Sequence, residues 1–260
     1  MKRNKPASAS RKIHERCSPA GGEALAALGL KSPAQLLDWQ GQDPARSTPH
    51  RVTWPIAANG FAGFLKRYEP GAGRIGKISR WRAPAEVEWD ALQRAAAAGV
   101  SVPRPLAAAW SRPGQNAASV LLLEAVSGAE RLDHIARSWQ KASPEQDLWL
   151  AERMLPQLFA LHRAGLQHRD LYACHFLRDN SSDQLVLIDL ARLRHGLRPR
   201  RRIKDLAALA YSLDGLIRHP QLLRLLRLYR DSLLPTHNLH RLAQAITRKA
   251  QRIASHRPKW

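Results

Sequence analysis

Two neighbouring stretches organise this 260-residue chain: Gln167-His168-Arg169-Asp170-Leu171-Tyr172-Ala173-Cys174-His175-Phe176-Leu177, and, after a polar turn at Asp179 to Asp183, Leu185-Val186-Leu187-Ile188-Asp189-Leu190. Asp170 stands on a polar loop after a long helical segment. His175, a side chain able to bind metal, follows five residues later, and a short apolar strand then delivers Asp189 at its end. Phosphoryl transfer needs such a set, with one carboxylate to orient or deprotonate an acceptor hydroxyl and another to hold Mg²⁺ against nucleotide phosphates.

The surrounding sequence predicts what carries this loop. Pro144 to Ala164 reads as a long helix with Ser143 as N-cap, Pro144 at its first position, Glu145 and Gln146 in its first turn and Gly165 past its end. Pro156 is expected to kink it. Lys204 to Leu216 and Gln221 to Leu234 repeat apolar residues at helical spacing, so the chain beyond Gly128 reads as mainly helical. The first half differs. Arg51 to Trp54 and Phe61 to Tyr68 flank Asn59-Gly60, a two-residue hairpin signal. Ala83 to Ala98 predicts a helix, with Pro84 at its start, Glu86, Glu88 and Asp90 early and Gly99 just beyond. Val100 to Leu106 reads as extended and Ser119 to Val126 as a buried strand, while Gly21 to Leu37 predicts two short helices broken near Lys31-Ser32-Pro33. The expectation is an α+β protein with a basic flexible arm (1–20), a small antiparallel-sheet lobe (21–127) and a mainly helical lobe (128–260).

His168-Arg169-Asp170 resembles the H-R-D triplet of the protein-kinase-like superfamily, with Asp189-Leu190-Ala191 where D-F-G would stand. His175 takes the place of the metal-binding Asn. In this the run H-R-D-L-Y-A-C-H-F-L followed by I-D-L is similar to the bacterial lipopolysaccharide kinases, the heptose and Kdo kinases of the inner core. The resemblance implies a two-lobed kinase-like fold, ATP and Mg²⁺ as cofactors, and a sugar hydroxyl of lipopolysaccharide as acceptor. It implies catalytic roles for Asp170, with His168 and Arg169 shaping its loop, and metal contact for Asp189 and His175. Lys66, in Gly63-Phe64-Leu65-Lys66-Arg67-Tyr68, takes the place of the strand lysine that holds the α/β-phosphates. Glu88 is its partner, with Glu86 as the competing choice. Lys204-Asp205-Leu206 resembles the family's K/R-D-L helix start. No glycine loop precedes Lys66; Gly71-x-Gly73-x-x-Gly76 follows it and reads as a loop, which puts the phosphate-covering turn near Gln40 to Arg51.

Charge points to the same kind of partner. Forty-two Lys and Arg against 21 Asp and Glu give +21, a field that concentrates polyanions. Seven of the thirteen residues from Arg192 to Lys204 are basic, which suits Arg198, Arg200, Arg201 and Arg202 to an anionic acceptor such as the lipid A-core, whose carboxylates and phosphates match arginine forks. A nucleic-acid-binding protein is the competing reading, against which stand the absence of a recognised motif and an aromatic content of 6%. A kinase-like enzyme for another sugar or a protein, or a pseudokinase, also stays open. Cationic aminoglycosides would be repelled. Cys17 and Cys174 have no disulfide or zinc spacing, in keeping with a reducing cytoplasm. Met1 to Cys17 lacks an apolar signal core, and no apolar run nears the ~18 to 20 residues of a membrane span. The expected location is cytoplasmic, with peripheral contact at the inner membrane through the basic termini.

Overall fold

The computed structural model describes residues 12–69, 82–111, 118–139 and 143–255; the Gly71 to Gly76 pattern lies outside them. They divide into two compact units. One comprises the chain to Asp90 with Arg104–Ala125, the other Ala91–Pro103 with the chain from Val126 onward.

In the first unit, strands β1 (Ile13–Cys17), β2 (Arg46–Thr48), β3 (Arg51–Ala58), β4 (Phe61–Tyr68), β5 (Pro105–Ser111) and β6 (Ser119–Glu124) form one antiparallel sheet in the order β1-β5-β6-β4-β3-β2. Asn59 and Gly60 turn the β3–β4 hairpin with φ of 48° and 79°, the positive pair that a type I′ turn demands. Helix α1 (Pro19–Ala27), capped by the Ser18 hydroxyl, and a 3-10 turn (Pro33–Leu37) contribute Leu25 and Leu36 to a core with Leu65, Leu106, Val120 and Leu122. Two expectations need correction. Residues 13–17 are not part of a flexible arm: they pair with Ala107–Ser111 as an edge strand, and an edge strand can carry the polar sequence IHERC because one of its sides faces water. The strand after Pro105 runs through Ala107-Ala108-Ala109, fully buried residues of low strand propensity that tertiary packing overrides.

Helix α2 (Pro84–Ala97) is divided between the units at Asp90. The second unit holds α3 (Leu132–Ser138), α4 (Pro144–Arg163), α5 (Pro199–Leu213), α6 (His219–Leu233) and α7 (Leu239–Ser255). Leu150, Met154, Leu158 and Leu161 bury one side of α4, which continues through Pro156 as one helix. Helix α5 starts five residues before the expected Lys204, since Pro199 suits the first helical position while Arg200-Arg201-Arg202 hides the apolar period. Two small sheets frame the loop of interest: β7 (Glu130–Arg131), β9 (Phe176–Asp179) and β10 (Gln184–Leu187), and a ribbon of β8 (Leu166–Gln167) with β11 (Arg194–His195). An apolar cavity of about 460 Å³ between α4, α5, α6 and α7, lined by Met154, Leu158, Leu209 and Ile246 among others, holds none of the predicted site residues. Among the described residues no helix is long and apolar enough to cross a membrane.

Candidate active site

Strand alternation sets the first constellation. Lys66 and Tyr68 share the face of β4 opposite Leu65, so both point away from the core that Leu65 enters. Lys66 Nζ donates to Glu88 Oε1 at 2.6 Å, and the Tyr68 hydroxyl donates to Glu88 Oε2. Glu88 is fully buried, and these two bonds hold both of its oxygens. A lysine on a flexible four-carbon stem is thereby held in one place. The structure chooses between the two candidate glutamates: Glu86 pairs instead with Arg82 at 3.0 Å and Arg16 at 3.8 Å. Tyr68 was missed; its place two residues from Lys66 on a strand was the available signal.

The His168-Arg169-Asp170 loop is held from beneath by Asp205, a fully buried residue at the second turn of α5. The backbone N–H groups of His168 and Arg169 donate to its two oxygens at 2.9 Å each, and Arg169 adopts a left-handed φ of 78°. His168 is also buried. Its Nε2–H donates to the Ile188 carbonyl at 3.0 Å, tying the loop to the strand end that precedes Asp189. Burial, followed by the nearby His175, pushes its pKa below the ordinary imidazole value, which favours the neutral ring. Behind Asp205 runs a further chain. His162 Nε2 lies 3.4 Å from Asp205, His162 Nδ1 lies 2.6 Å from the Tyr229 hydroxyl, and Arg202 donates to that hydroxyl at 3.1 Å. Burial pushes the Tyr229 phenol up to about 12, which keeps it a hydroxyl. Asp205→Ala strands two backbone donors, that of His168 buried and that of Arg169 partly buried, and hydrogen bonds to a charged acceptor are worth about 1.5–3 kcal/mol each. A loss of about 3 kcal/mol in urea unfolding is the expected result; a change below about 1 kcal/mol would refute the anchoring role.

Asp170, His175 and Asp189 form the second constellation. His175 Nδ1 lies 2.7 Å from the Asp170 backbone carbonyl, so that nitrogen carries the donating proton and Nε2 faces Asp189 at 3.9 Å. Burial lowers the His175 pKa, but Cys174, the Asp189 carboxylate and the Asp170 carbonyl outweigh it and hold it above the ordinary value. Asp189 itself sits at φ 62°, ψ 54°, a left-handed conformation that Asp tolerates, and the Ile188 N–H before it donates to the His175 carbonyl at 2.9 Å. Arg192, on the 3-10 turn after Asp189, donates through Nη1 to both Asp170 oxygens, at 2.9 and 2.7 Å. Its sequence signal was only membership of the basic run. Of the other basic candidates, Arg201 donates to the Gly196 carbonyl at 2.8 Å and Arg202 supports Tyr229, whereas Arg198 and Arg200 are exposed. The structure thus turns two of the four arginines inward, toward the chain's own carbonyl and hydroxyl groups.

The donor set bears on a metal. No group of three or more His, Cys, Asp or Glu side chains able to hold a metal occurs among the described residues. Mg²⁺ bound to a nucleotide takes one or two carboxylates and completes its shell with phosphates and water, a demand that Asp189 meets. His175 Nε2 adds a softer donor beside it.

A lysine locked by a buried glutamate, and a loop that presents two carboxylates beside a cation-rich segment, are parts built for handling phosphate, and the mixed sheet and helical units are those of a kinase-like phosphotransferase. Comparison with known proteins narrows the class. Residues 72–245 match the family model "Lipopolysaccharide kinase (Kdo/WaaP) family", and the chain belongs to that family. It is 34% identical over 233 residues to the lipopolysaccharide core heptose(I) kinase WaaP of Pseudomonas aeruginosa, covering 78% of this chain and 85% of that one. It is 29% identical over 161 residues to a 3-deoxy-D-manno-octulosonic acid kinase of Vibrio vulnificus, covering 58% and 65%. A solved structure of WaaP in complex with acyl carrier protein superposes with a TM-score of 0.69 at 25% identity, over 92% of this chain and 99% of that one. The expected α+β kinase-like fold is therefore observed.

Proposed function

We propose that the protein transfers the γ-phosphoryl group of ATP to a heptose or Kdo hydroxyl of the lipopolysaccharide inner core. The observation that carries this reading is the convergence of Asp170, His175 and Asp189 on one loop cluster, with His175 hydrogen-bonded to the Asp170 backbone and facing the Asp189 carboxylate. Lys66, oriented by Glu88 and Tyr68, binds the α/β-phosphates. Asp170 orients the acceptor hydroxyl and takes its proton as the new oxygen–phosphorus bond forms and the bond from the γ-phosphorus to the bridging oxygen breaks, with ADP as leaving group. Arg192 must then exchange one of its bonds to Asp170 for substrate, which is inexpensive for a partly exposed pair. Mg²⁺ bound with ATP supplies neutralisation of phosphate charge, with Asp189 and His175 as the residues that hold it. His168, Arg169 and Asp205 position the loop; Arg198 and Arg200 face the anionic acceptor. The printed names of the Pseudomonas and Vibrio relatives support an inner-core sugar as substrate class. An amphiphilic acceptor of this kind also suits work at the cytoplasmic face of the inner membrane.

The test is labelled-ATP transfer to purified lipopolysaccharide carrying unphosphorylated inner core, with RNA and a generic protein in parallel. Label confined to heptose or Kdo is the expected result. Label on RNA or protein alone would overturn the assignment.

A further inference from the structure

Helices α5 and α7 lie against one another, and each turns a basic stripe toward the same groove. On α5 the stripe is Arg200, Ile203 and Lys204, spaced i, i+3, i+4. On α7 it is Ala245, Arg248, Lys249 and Arg252, spaced i, i+3, i+4, i+7. These seven residues line a cavity of about 400 Å³, and no carboxylate is among them.

The groove also breaks a local rule. Arg200 stands in the first turn of α5, where the helix dipole favours acids, and that turn contains none. Like charges gathered against both the dipole and one another destabilise the fold, which is the signature of a sequence constrained by function. Lys204 is half-buried and directly precedes Asp205, whose carboxylate holds the backbone N–H groups of His168 and Arg169, so the groove adjoins the support of the Asp170 loop.

We propose that the α5–α7 groove binds the phosphate or carboxylate groups carried by the saccharide acceptor, and so fixes which hydroxyl reaches Asp170. The inference rests on the lipopolysaccharide kinase reading above. A volume of about 400 Å³ suits one or two charged sugar units and not a whole oligosaccharide. Lys204 and Lys249 are half-buried in it while Arg200, Arg248 and Arg252 are exposed, and it is its concave form that separates it from a flat array of cations reading an anionic bilayer. The phosphates of ATP already have Lys66.

The deciding variant is the double substitution R248Q/K249Q, on α7 and away from the Asp170 loop, with R248K/K249R as its charge-conserving control. Steady-state kinetics and equilibrium binding to detergent-dispersed lipopolysaccharide are measured on the full chain, alongside thermal melting. Loss of two charge-assisted contacts should raise the acceptor KM and weaken binding about tenfold, with the ATP KM unchanged, the melting temperature equal to or above that of the wild type, and the control close to wild type. Unchanged acceptor KM and binding in a folded variant would overturn the proposal. So would an equal rise in both KM values, or a loss confined to binding of phosphatidylglycerol vesicles, which would make the groove a membrane contact. If the wild-type protein bound lipopolysaccharide but transferred no phosphate to it, the functional reading would fall, and the binding comparison would still decide the groove.

Discussion

Asp170→Ala should lower phosphate transfer about 10³-fold while the protein stays folded, because a positioned general base contributes about 10² to 10⁴ and its carboxylate holds up little else. The only side chain hydrogen-bonded to that carboxylate among the described residues is Arg192, whose side chain is 41% exposed and can turn into water. Its loss as a surface ion pair costs under about 1 kcal/mol. The loop keeps its shape by bonds that do not involve this side chain: Asp205 holds the N–H groups of His168 and Arg169, and His175 holds the backbone carbonyl of residue 170. The fall should therefore appear in kcat, with the ATP KM and the melting temperature near wild type, in a labelled-transfer assay paired with a thermal melt. Turnover within tenfold of wild type would refute Asp170 as the base.

Asp189 should be less forgiving, with an expected loss of at least about 10³-fold for both Asp189→Asn and Asp189→Ala, since each removes the carboxylate expected to hold Mg²⁺ with the nucleotide. The two variants separate chemistry from backbone. At φ 62°, ψ 54° Asn is tolerated, whereas Ala adds about 1–2 kcal/mol of left-handed strain. Equal inactivity with a lower melting temperature only for Ala is the expected pattern, accompanied by weakened Mg²⁺-ATP binding in calorimetry for both. An active Asp189→Asn enzyme would remove Asp189 from the metal role.

These residues differ in how they could be read. Asp170, His175 and Asp189 were legible because they lie within twenty residues of one another on a loop, a turn and a hairpin end, where local spacing alone brings side chains together. The Asn59-Gly60 turn was legible for a related reason, since positive φ at two successive positions selects residue types directly. Lys66 could be placed on a strand by its alternating neighbours, but its partner could not be settled. Glu86 and Glu88 lie two positions apart on α2 and so point to different sides, and the rotation of that helix is set by which residues it buries against the sheet. Glu88 is 0% exposed, and nothing local distinguishes it.

What the chain determines by itself, then, is the order of its helices and strands in outline, the phosphotransfer loop and an unusual positive charge, because propensity, capping and short motifs act over a few residues. Tertiary structure decided the rest. It made an edge strand of Ile13–Cys17, placed Asp205 beneath a loop 35 residues away, joined Arg192 to Asp170, and set the basic faces of α5 and α7 on one groove. Each of these depends on segments distant in sequence meeting in space, and on burial that assigns a carboxylate its partner only once the backbone around it is complete.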